Sequence, residues 1–535
     1  MTIKPTSNLV KSVAKRNTRI MTHNLAVTAL KKPFFILMAI AFIGGMLPQS
    51  VTAQDFLSKK EKTKQIEQFI QNRMQESRIP GVSLVIVEKG TIAYQNGFGY
   101  ADVAAKKPVT GETLFELAST SKAFTGLAIL QLEKEGKLKR TDPITKFVPW
   151  LQLSYNGNPA SITIQDLLYH TSGIPSTSIQ YYPESDADDA LEQTARTLLN
   201  QPLNREPGSS FEYATINYDI LGLIIEKVTG QSYEAYMQQH ILQPLGMNDS
   251  KVGVAQIPPA HMATGYRLQF TVPTPHTPAI YRGNTPAGYV ISNANDAAKW
   301  MNVQLGNVQL HGIDQQLIRD SHMPDQSVKP FDEHTYYGAG WAVQEGDDKF
   351  VYHAGTNPTF SSYITLLPKE QIGVAVLSNM SSITTTTMAQ GVMDIWNGKE
   401  PEANSQPDGM LVVEQIATYV FILMSCLGFV GLILIVVCMK KLIKQQRSWA
   451  ALKGKRPLFL VLLIVLSAAA MFLIVNLPSI LLDGMSWSFV ARWAPATIML
   501  TIYSLIATLS VYSVYGLMLV LSKKRSVLQK ELKVQ

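Results

Sequence analysis

Cysteine is almost absent from this sequence. Cys426 and Cys438 are the only cysteines among 535 residues, and both fall within one apolar, helix-like run. Twelve residues apart on a single helix, they cannot reach each other, so a structural disulfide between them is excluded. The stretch 54–410 contains no cysteine at all. Its stability must therefore come from a hydrophobic core, which a stretch of about 350 residues can supply.

Acidic residues are missing from the first 32 positions, and residues 33–53 carry no charge of either sign. Residues 1–32 contain seven Lys and Arg, and residues 411–535 contain thirteen against three acidic residues. Because the whole chain has a formal net charge of +7, the stretch 54–410 carries −10. An acidic body between basic ends argues against a nucleic-acid partner. Basic ends of this kind are typical of membrane-topology signals.

Residues 1–53 are predicted to be a signal peptide with a long basic n-region. Lys31 and Lys32 precede an apolar core, and Val51-Thr-Ala53 offers small residues for cleavage after Ala53. Met21 is an alternative start. An uncleaved anchor is the alternative interpretation, although the apolar core is shorter than the ~20 residues that a span requires. In either case the stretch 54–398 is exported.

Three apolar runs near the C-terminus predict transmembrane helices, and a polar linker at 399–410 precedes the membrane domain 411–535. The loop after the first run is strongly basic without acids, the next loop carries only Asp483 and Arg492, and the tail is basic. The positive-inside rule therefore places the first loop and the C-terminus in the cytoplasm. The exported domain then lies on the periplasmic side of a bacterial inner membrane. The predicted spans are 416–439, 458–477 and 494–521.

Strand patterns at both ends of the exported part enclose helical patterns. This arrangement predicts one α/β domain with an antiparallel sheet flanked by helices, plus a helical region. The segments 175–210 and 253–290 have neither pattern, and we interpret them as irregular. The strands are predicted at 82–88, 91–94, 340–344, 350–353, 360–367 and 372–379, and the helices at 54–78, within 115–136 (beginning near Ser119), at 217–228, 232–242 and 296–305.

Ser119 and Lys122 stand three residues apart at the start of the helix predicted in 115–136. Positions i and i+3 share a helix face, so the Lys122 ammonium can reach the Ser119 hydroxyl. Free N–H groups at the helix start favour negative charge. These features predict a nucleophile with a base and part of an oxyanion site. Ser-x-x-Lys alone is a weak motif, and an ordinary helix start is the alternative.

Three other places in the exported domain carry polar chemistry. Tyr213 precedes a helix, and a nearby ammonium would stabilise its phenolate and make it a proton shuttle. His353-Ala-Gly-Thr356 lies on a predicted edge strand, where small residues let a substrate approach the backbone. His276 lies in the segment 253–290. Taken singly, Tyr213 could be a core aromatic, His353 a satisfied strand residue and His276 a surface residue.

As an ordered set, these motifs resemble the serine β-lactamase and penicillin-binding-protein superfamily on its class C-like branch. The resemblance covers about 60–400 and includes FELASTSK, LLYHTSGIP, FEYATINYDILG, PLGM and HAGTNPTFSS. It implies an acylated Ser119, acid/base partners Lys122 and Tyr213, and an oxyanion hole from the N–H groups of Ser119 and Thr356. Thr215 replaces the usual Asn and His353 the usual Lys, which makes a true β-lactamase less expected.

With a signal peptide and three spans added, the chain is similar to prodrug-activating peptidases of nonribosomal peptide–polyketide pathways (the colibactin-, zwittermicin- and xenocoumacin-maturing type). These remove an N-acyl-D-asparagine cap from a precursor in the periplasm. The resemblance implies that Glu116, Thr215, His276 and Asn357 surround the D-Asn side chain, with His353 also among the substrate-binding residues.

Two other functions stay open: a D-stereospecific carboxypeptidase, esterase or β-lactamase of the same superfamily, and a non-catalytic penicillin-binding membrane sensor. No metal or other cofactor is expected, since no cluster of His, Cys and carboxylate residues suggests one. The expected partners are the capped precursor and the lipid bilayer, with an exporter and a homodimer left open. The sequence does not identify the metabolite or its acyl chain length.

Overall fold

A computed structural model of the chain describes residues 58–253, 261–308, 312–346, 349–401 and 407–525. The predicted signal peptide and residues 402–406 of the predicted linker lie outside the described residues. The α-helices are α1 (Lys59–Ser77), α2 (Lys122–Lys134), α3 (Ile164–Leu168), α4 (Ala190–Arg196), α5 (Ile216–Thr229), α6 (Tyr233–Met237), α7 (Thr285–Gly288), α8 (Ala294–Gln304), α9 (Gln315–Ser321), α10 (Thr384–Trp396), α11 (Gly409–Ile443), α12 (Arg456–Leu481), α13 (Trp487–Trp493) and α14 (Ala496–Leu521).

The strands fall into one large sheet and several small ones. They are β1 (Gly81–Glu88), β2 (Thr91–Asp102), β3 (Lys107–Pro108), β4 (Phe115–Glu116), β5 (Ser154–Tyr155), β6 (Asn158–Pro159), β7 (Lys251–Val252), β8 (Tyr266–Gln269), β9 (Val272–Pro275), β10 (Val290–Ser292), β11 (Thr335–Tyr337), β12 (Ala342–Gln344), β13 (Phe350–Thr356), β14 (Ser361–Leu367), β15 (Ile372–Ser378), β16 (Arg447–Trp449) and β17 (Ser522–Lys524).

The large sheet is antiparallel, as predicted, and joins the two ends of the hydrolase domain. Its order is β11-β12-β13-β14-β15-β1-β2-β3, so the N-terminal hairpin β1–β2 pairs with the late strand β15. The central strands are buried on both faces and therefore read as continuous apolar runs. Alternate residues of β1 enter two separate cores: Val82, Leu84 and Ile86 enter one, and Val85 and Val87 enter the other.

Two segments that the sequence suggested were irregular contain regular structure, so that prediction was wrong. The segment 253–290 contains the β8–β9 hairpin, which turns through Phe270 and Thr271 at φ of 48° and 63°. The pattern Val-Pro-Thr-Pro of β9 concealed the strand, since proline is tolerated only where no ladder N–H is needed. The segment 175–210 contains a 3₁₀ turn at Ser176–Tyr181 and the helix α4, which packs against α5.

Helices α11, α12 and α14 are each long and apolar enough to cross a membrane. Helices α11 and α12 extend a few residues beyond both ends of their predicted spans, whereas α14 begins two residues later than predicted and ends at the predicted residue. Gly431 lets α11 approach α14 closely, since a Cβ at this position would lie 2.6 Å from Val511 Cγ1. Small residues at such contacts are typical of helix packing in membranes.

Candidate active site

The predicted nucleophile lies on a strained turn. Ser119 belongs to a 3₁₀ turn at Ala118–Ser121 that continues directly into α2, and Ala118 just before it has φ of 49°. A non-glycine residue in this left-handed region is costly and is found most often where a site requires it. Lys122 Nζ donates to Ser119 Oγ at 3.0 Å and to the carbonyl of Ala287 at 2.9 Å. Lys122 is fully buried, whereas Ser119 is partly exposed to a substrate.

Tyr213 lies on the other side of Lys122. Lys122 Nζ is 5.2 Å from the centroid of the Tyr213 ring, and that ring lies 4.3 Å from the imidazole of His170. Ser119, Lys122 and Tyr213, which the sequence placed in one site, are thus adjacent in the structure. An ammonium next to both a hydroxyl and a phenol ring can support transfer of a proton between them.

His170, in the LLYHTSGIP motif, is a further residue of the site that no pattern in the sequence singles out. It is fully buried, and its Nδ1 lies 3.3 Å from the backbone N of Ala214 and 3.0 Å from Asn217 Nδ2. Both neighbours are donors, so Nδ1 accepts and the ring proton resides on Nε2. Burial and the Lys122 charge lower the pKa of His170 well below its usual value. A neutral His170 therefore fixes the loop that holds Tyr213.

Asp219 on α5 is a second residue that was missed. Its side chain is fully buried and accepts a hydrogen bond from the Tyr182 hydroxyl at 2.5 Å. Burial raises the pKa of Asp219 to about 8, although Tyr182 and the Lys122 charge act in the opposite direction. At neutral pH the carboxyl is therefore largely protonated, and it leaves the Lys122 charge unneutralised. The signal in the sequence was a lone acid in the apolar helix INYDILGLII.

Glu116 and Asn357 form a buried polar pair near the nucleophile. Asn357 Nδ2 donates to Glu116 Oε2 at 2.7 Å and to the Gly288 carbonyl at 3.0 Å. Both residues are almost completely buried, and Glu116 lies on β4, three residues before Ser119. Burial raises the pKa of Glu116 to about 7 against the effect of the Asn357 hydrogen bond. The Asn357 carbonyl oxygen and Glu116 Oε1 take no part in this bond and can face a ligand.

His353 occupies the position where the resembling β-lactamases have lysine, and it is neutral. The distance from its Nε2 to the Tyr337 hydroxyl is 2.8 Å, and that from its Nδ1 to the Ala354 carbonyl is 2.6 Å. A carbonyl can only accept, so Nδ1 donates and Nε2 accepts from Tyr337. Burial, followed by the Lys122 charge, lowers the pKa of His353 to about 3. This strand therefore supplies no cation to the site.

Among the described residues, Thr215 and His276, the two other predicted substrate-binding residues, make no hydrogen bond to the cluster of Ser119, Lys122, Glu116 and Asn357. Thr215 is partly exposed at the start of α5, and its side chain makes no capping hydrogen bond. His276 follows β9 on an exposed loop, and its backbone N–H donates to the Gly265 carbonyl. Within the ranges that the structure describes, the His276 side chain makes no hydrogen bond to the cluster. Those ranges also contain no group of three or more His, Cys, Asp and Glu residues that could hold a metal ion.

Strand β13 passes very close to the nucleophile turn. A Cβ on Gly355 would lie 2.4 Å from the Leu117 carbonyl oxygen and 3.1 Å from Ala118 Cβ, so only glycine allows this approach. Beyond Tyr352, β13 pairs with β14 but not with β12, which ends its ladder there. The free edge of residues 353–356 faces the turn, and Thr356 is exposed. A pair of backbone N–H groups can stabilise an oxyanion, and the oxyanion hole from the N–H groups of Ser119 and Thr356 stays a prediction.

The protonated Asp219 predicts a measurable pH dependence of stability. Its pKa is about 8 in the folded chain against an ordinary 3.8, so its contribution is full below about pH 4 and is lost as the pH rises to 8. Asp219→Asn stays neutral throughout and should flatten the fall in melting temperature over this interval, relative to wild type. Thermal unfolding from pH 4 to 8 measures this, with the exposed Asp189→Asn as a control. Parallel curves for the Asp219 variant and wild type would contradict the protonated state.

Comparison with known proteins identifies the family of this chain. A family model described as Beta-lactamase matches residues 66–386. "Protein flp" of Staphylococcus aureus (strain MW2) is 32% identical over 84% of this chain and 90% of its own length. "Penicillin-binding protein 4*" of Bacillus subtilis (strain 168) is 29% identical over 61% of this chain and 74% of its own length.

Two solved structures are similar as well. The octameric penicillin-binding protein homologue from Pyrococcus abyssi is 30% identical with a TM-score of 0.56, over 66% of this chain and 81% of its own. A class C beta-lactamase, 22% identical with a TM-score of 0.55, covers 63% of this chain and 97% of its own, and this similarity concerns the fold alone.

The match to the staphylococcal protein extends beyond the hydrolase domain. Since 84% of 535 residues is about 449 residues, any continuous stretch of that length in this chain includes all of α11. The similarity therefore includes at least the first of the three apolar helices.

Proposed function

The chain belongs to the beta-lactamase family, and from this premise we propose that it is a membrane-anchored serine peptidase that cleaves the amide bond after an N-acyl-D-asparagine cap. Its product would be an activated nonribosomal peptide–polyketide metabolite, released on the periplasmic side of the inner membrane. The observation that carries the proposal is the buried Glu116–Asn357 pair next to the Lys122–Ser119 hydrogen bond. Ser119 and Lys122 supply the groups for acylation, and Glu116 and Asn357 supply groups that can form hydrogen bonds with a primary amide.

The proposed reaction passes through an acyl-enzyme. Ser119 Oγ attacks the D-Asn carbonyl while its proton passes to the Lys122–Tyr213 pair. The N–H groups of Ser119 and Thr356 stabilise the oxyanion. Tyr213 then protonates the leaving amine, and the metabolite departs. A water molecule activated by the same pair attacks the ester and releases the N-acyl-D-asparagine, which restores Ser119.

The proposed specificity follows from hydrogen-bond chemistry. A primary amide has both donors and acceptors; its NH₂ can donate to the Asn357 carbonyl and to Glu116 Oε1, and its carbonyl can accept from Thr215. A D-aspartate side chain would instead bring a carboxylate against Glu116. Sites built around such groups discriminate strongly against analogues that leave them unpaired.

The absence of a cation at His353 also supports this substrate class. With His353 neutral and buried, that position of β13 offers no positive charge to a substrate carboxylate. An internal D-asparagine amide has no free α-carboxylate. In this respect it suits the site better than a peptide C-terminus does.

The experiment that tests the proposal uses membranes containing the full chain and the N-myristoyl-D-asparagine amide of a simple amine. We expect mass spectrometry to detect release of the amine from the D-isomer and not from the L-isomer. No release, with Ser119 still labelled by a β-lactam, would refute it. That outcome would favour a D-carboxypeptidase or β-lactamase role, which the similarity to a penicillin-binding protein and to a penicillin-binding protein homologue supports. Labelling without any turnover would favour a sensor.

Glu116→Gln tests the specificity pocket. We expect kcat/KM for the D-asparagine amide to fall about 10- to 100-fold above pH 7, because an ionised Glu116 accepts a stronger hydrogen bond than the carbonyl of Gln does. The ratio of activity towards the D-aspartate amide to activity towards the D-asparagine amide should rise, since the Glu116 carboxylate that repels D-aspartate is gone. Competition between the two substrates, followed by mass spectrometry, measures the ratio. Glu112→Gln, an exposed site four residues earlier, is the matched control. An unchanged ratio would place the side-chain pocket elsewhere.

A further inference from the structure

The loop between α12 and α14 reaches the hydrolase domain through the short helix α13. Arg492 on α13 is the only basic residue among positions 482–495. Its Nη1 donates to the Tyr182 carbonyl at 3.2 Å, and its Nη2 donates to the Gln180 carbonyl at 3.0 Å. Its guanidinium carbon also lies 5.8 Å from the centroid of the Tyr281 ring. The planar Arg492 guanidinium therefore holds two backbone carbonyls of the segment 180–182, at the end of the 3₁₀ turn Ser176–Tyr181.

That segment continues directly into the active site. Tyr182 is buried, and its hydroxyl donates to Asp219 Oδ2 at 2.5 Å. The Lys122 charge and the backbone N–H of Ala287 both favour the ionised form of the Asp219 carboxyl. The carbonyl of Ala287 in turn accepts a hydrogen bond from Lys122 Nζ. Asp219 therefore feels the Lys122 charge, and Ala287, which accepts the Lys122 hydrogen bond, also influences the pKa of Asp219.

The β8–β9 hairpin makes further contacts with α13 and with the neighbouring helices α14 and α11. Arg267 Nη2 on β8 donates to the Ala491 carbonyl at 2.9 Å, which adjoins Arg492. At the tip of the β8–β9 hairpin, the Phe270 N–H donates to Thr497 Oγ1 at 2.7 Å and the Thr271 N–H to Glu414 Oε1 at 3.1 Å. Helix α13 is therefore fixed between two parts of the hydrolase domain. Arg492 projects from a defined position and not from a loose loop.

We propose that Arg492 is a positioning residue for catalysis, which acts through Tyr182 and Asp219 to set the place of Lys122 against Ser119. The inference rests on the proposed acyl-enzyme function. Displacement of the 180–182 backbone would move the Tyr182 hydroxyl and break its hydrogen bond to Asp219. The Asp219 carboxyl, which interacts with the Lys122 charge, could then shift and change the position of Lys122. Misplacements of about 1 Å at supporting residues are sufficient to slow catalysis. The membrane domain would then contribute to the rate as well as to the anchoring.

The experiment measures covalent labelling of the full chain in detergent or nanodiscs by a fluorophosphonate probe, in which the Ser119 oxygen displaces fluoride at phosphorus, over a range of probe concentrations. We expect Arg492→Ala to lower the maximal labelling rate about tenfold and to leave the apparent binding constant of the probe within twofold, because Arg492 contacts the backbone of residues 180–182 and not Ser119. Arg492→Lys retains a cationic donor but lacks the planar guanidinium that bonds both carbonyls, so it should recover part of the maximal labelling rate. Arg196→Ala is the matched control, since Arg196 also lies over an aromatic ring, that of Trp150, but does not touch the 180–182 segment.

Tyr182→Phe provides an independent variant that removes only the hydroxyl. It should reproduce the fall in maximal rate, and the double variant should lose less than the product of the two single effects, because both act on one connection. Should Arg492→Ala fail to fold, Tyr182→Phe alone decides. Wild-type rates in the variants, or a loss confined to probe binding, would overturn the inference. Failure to label wild type would instead refute the proposed function, so the two failures are distinguishable.

Discussion

Ser119→Ala is expected to abolish both amide cleavage and covalent labelling, with a loss of at least about four orders of magnitude in kcat/KM. The acyl-enzyme cannot form without the Oγ nucleophile, and the surrounding groups alone retain only a small fraction of the rate. The fold should be unaffected, because Lys122 keeps its hydrogen bond to the Ala287 carbonyl. Time courses by mass spectrometry and intact-mass analysis after exposure to the probe measure the two losses.

The control for this variant is Ser209→Ala. Ser209 is exposed, and its hydroxyl bonds only to the Glu206 carbonyl, so its removal should change neither readout. Equal melting temperatures for the two variants would separate loss of the nucleophile from loss of the fold. Persistent labelling of the Ser119 variant at another residue would mean that the nucleophile has been assigned wrongly.

The parts of the site that lie within one turn of chain could be predicted from the sequence. Ser119 and Lys122 are three residues apart, and the helix start that joins them dictates their contact. The antiparallel sheet was equally accessible, because its strands are short apolar runs between turns. The position of Tyr213 beside them, and the presence of Glu116 and Asn357 in one site, came only from resemblance, since no local pattern brings such distant residues together. The hydrogen bond between Glu116 and Asn357, 241 residues apart, was not predicted.

Other parts of the site gave only indirect signals. Asp219 was visible as a single acid in an apolar helix, and a buried acid of this kind requires a partner. Its partner Tyr182 lies in a segment that showed no periodicity, and the contact of Arg492 with that segment crosses 310 residues. These contacts depend on how the three long apolar helices and α13 pack against the hydrolase domain, which hydrophobic patterning does not encode. The same holds for the β8–β9 hairpin, whose prolines conceal it while its tip bonds to α11 and α14.

Lys122→Met should separate catalysis from stability more clearly than any other change in this chain. We expect the acylation rate to fall about 10³-fold, because Lys122 takes part in moving the Ser119 proton. The melting temperature should be kept or raised, because Lys122 is fully buried and methionine removes the cost of a buried ammonium while filling a similar volume. Labelling kinetics and thermal unfolding measure the two changes. Lys134→Met, at the exposed end of the same helix, should alter neither by much. A large fall in melting temperature would mean that Lys122 chiefly holds the fold, and an unchanged rate would leave Tyr213 alone as the base.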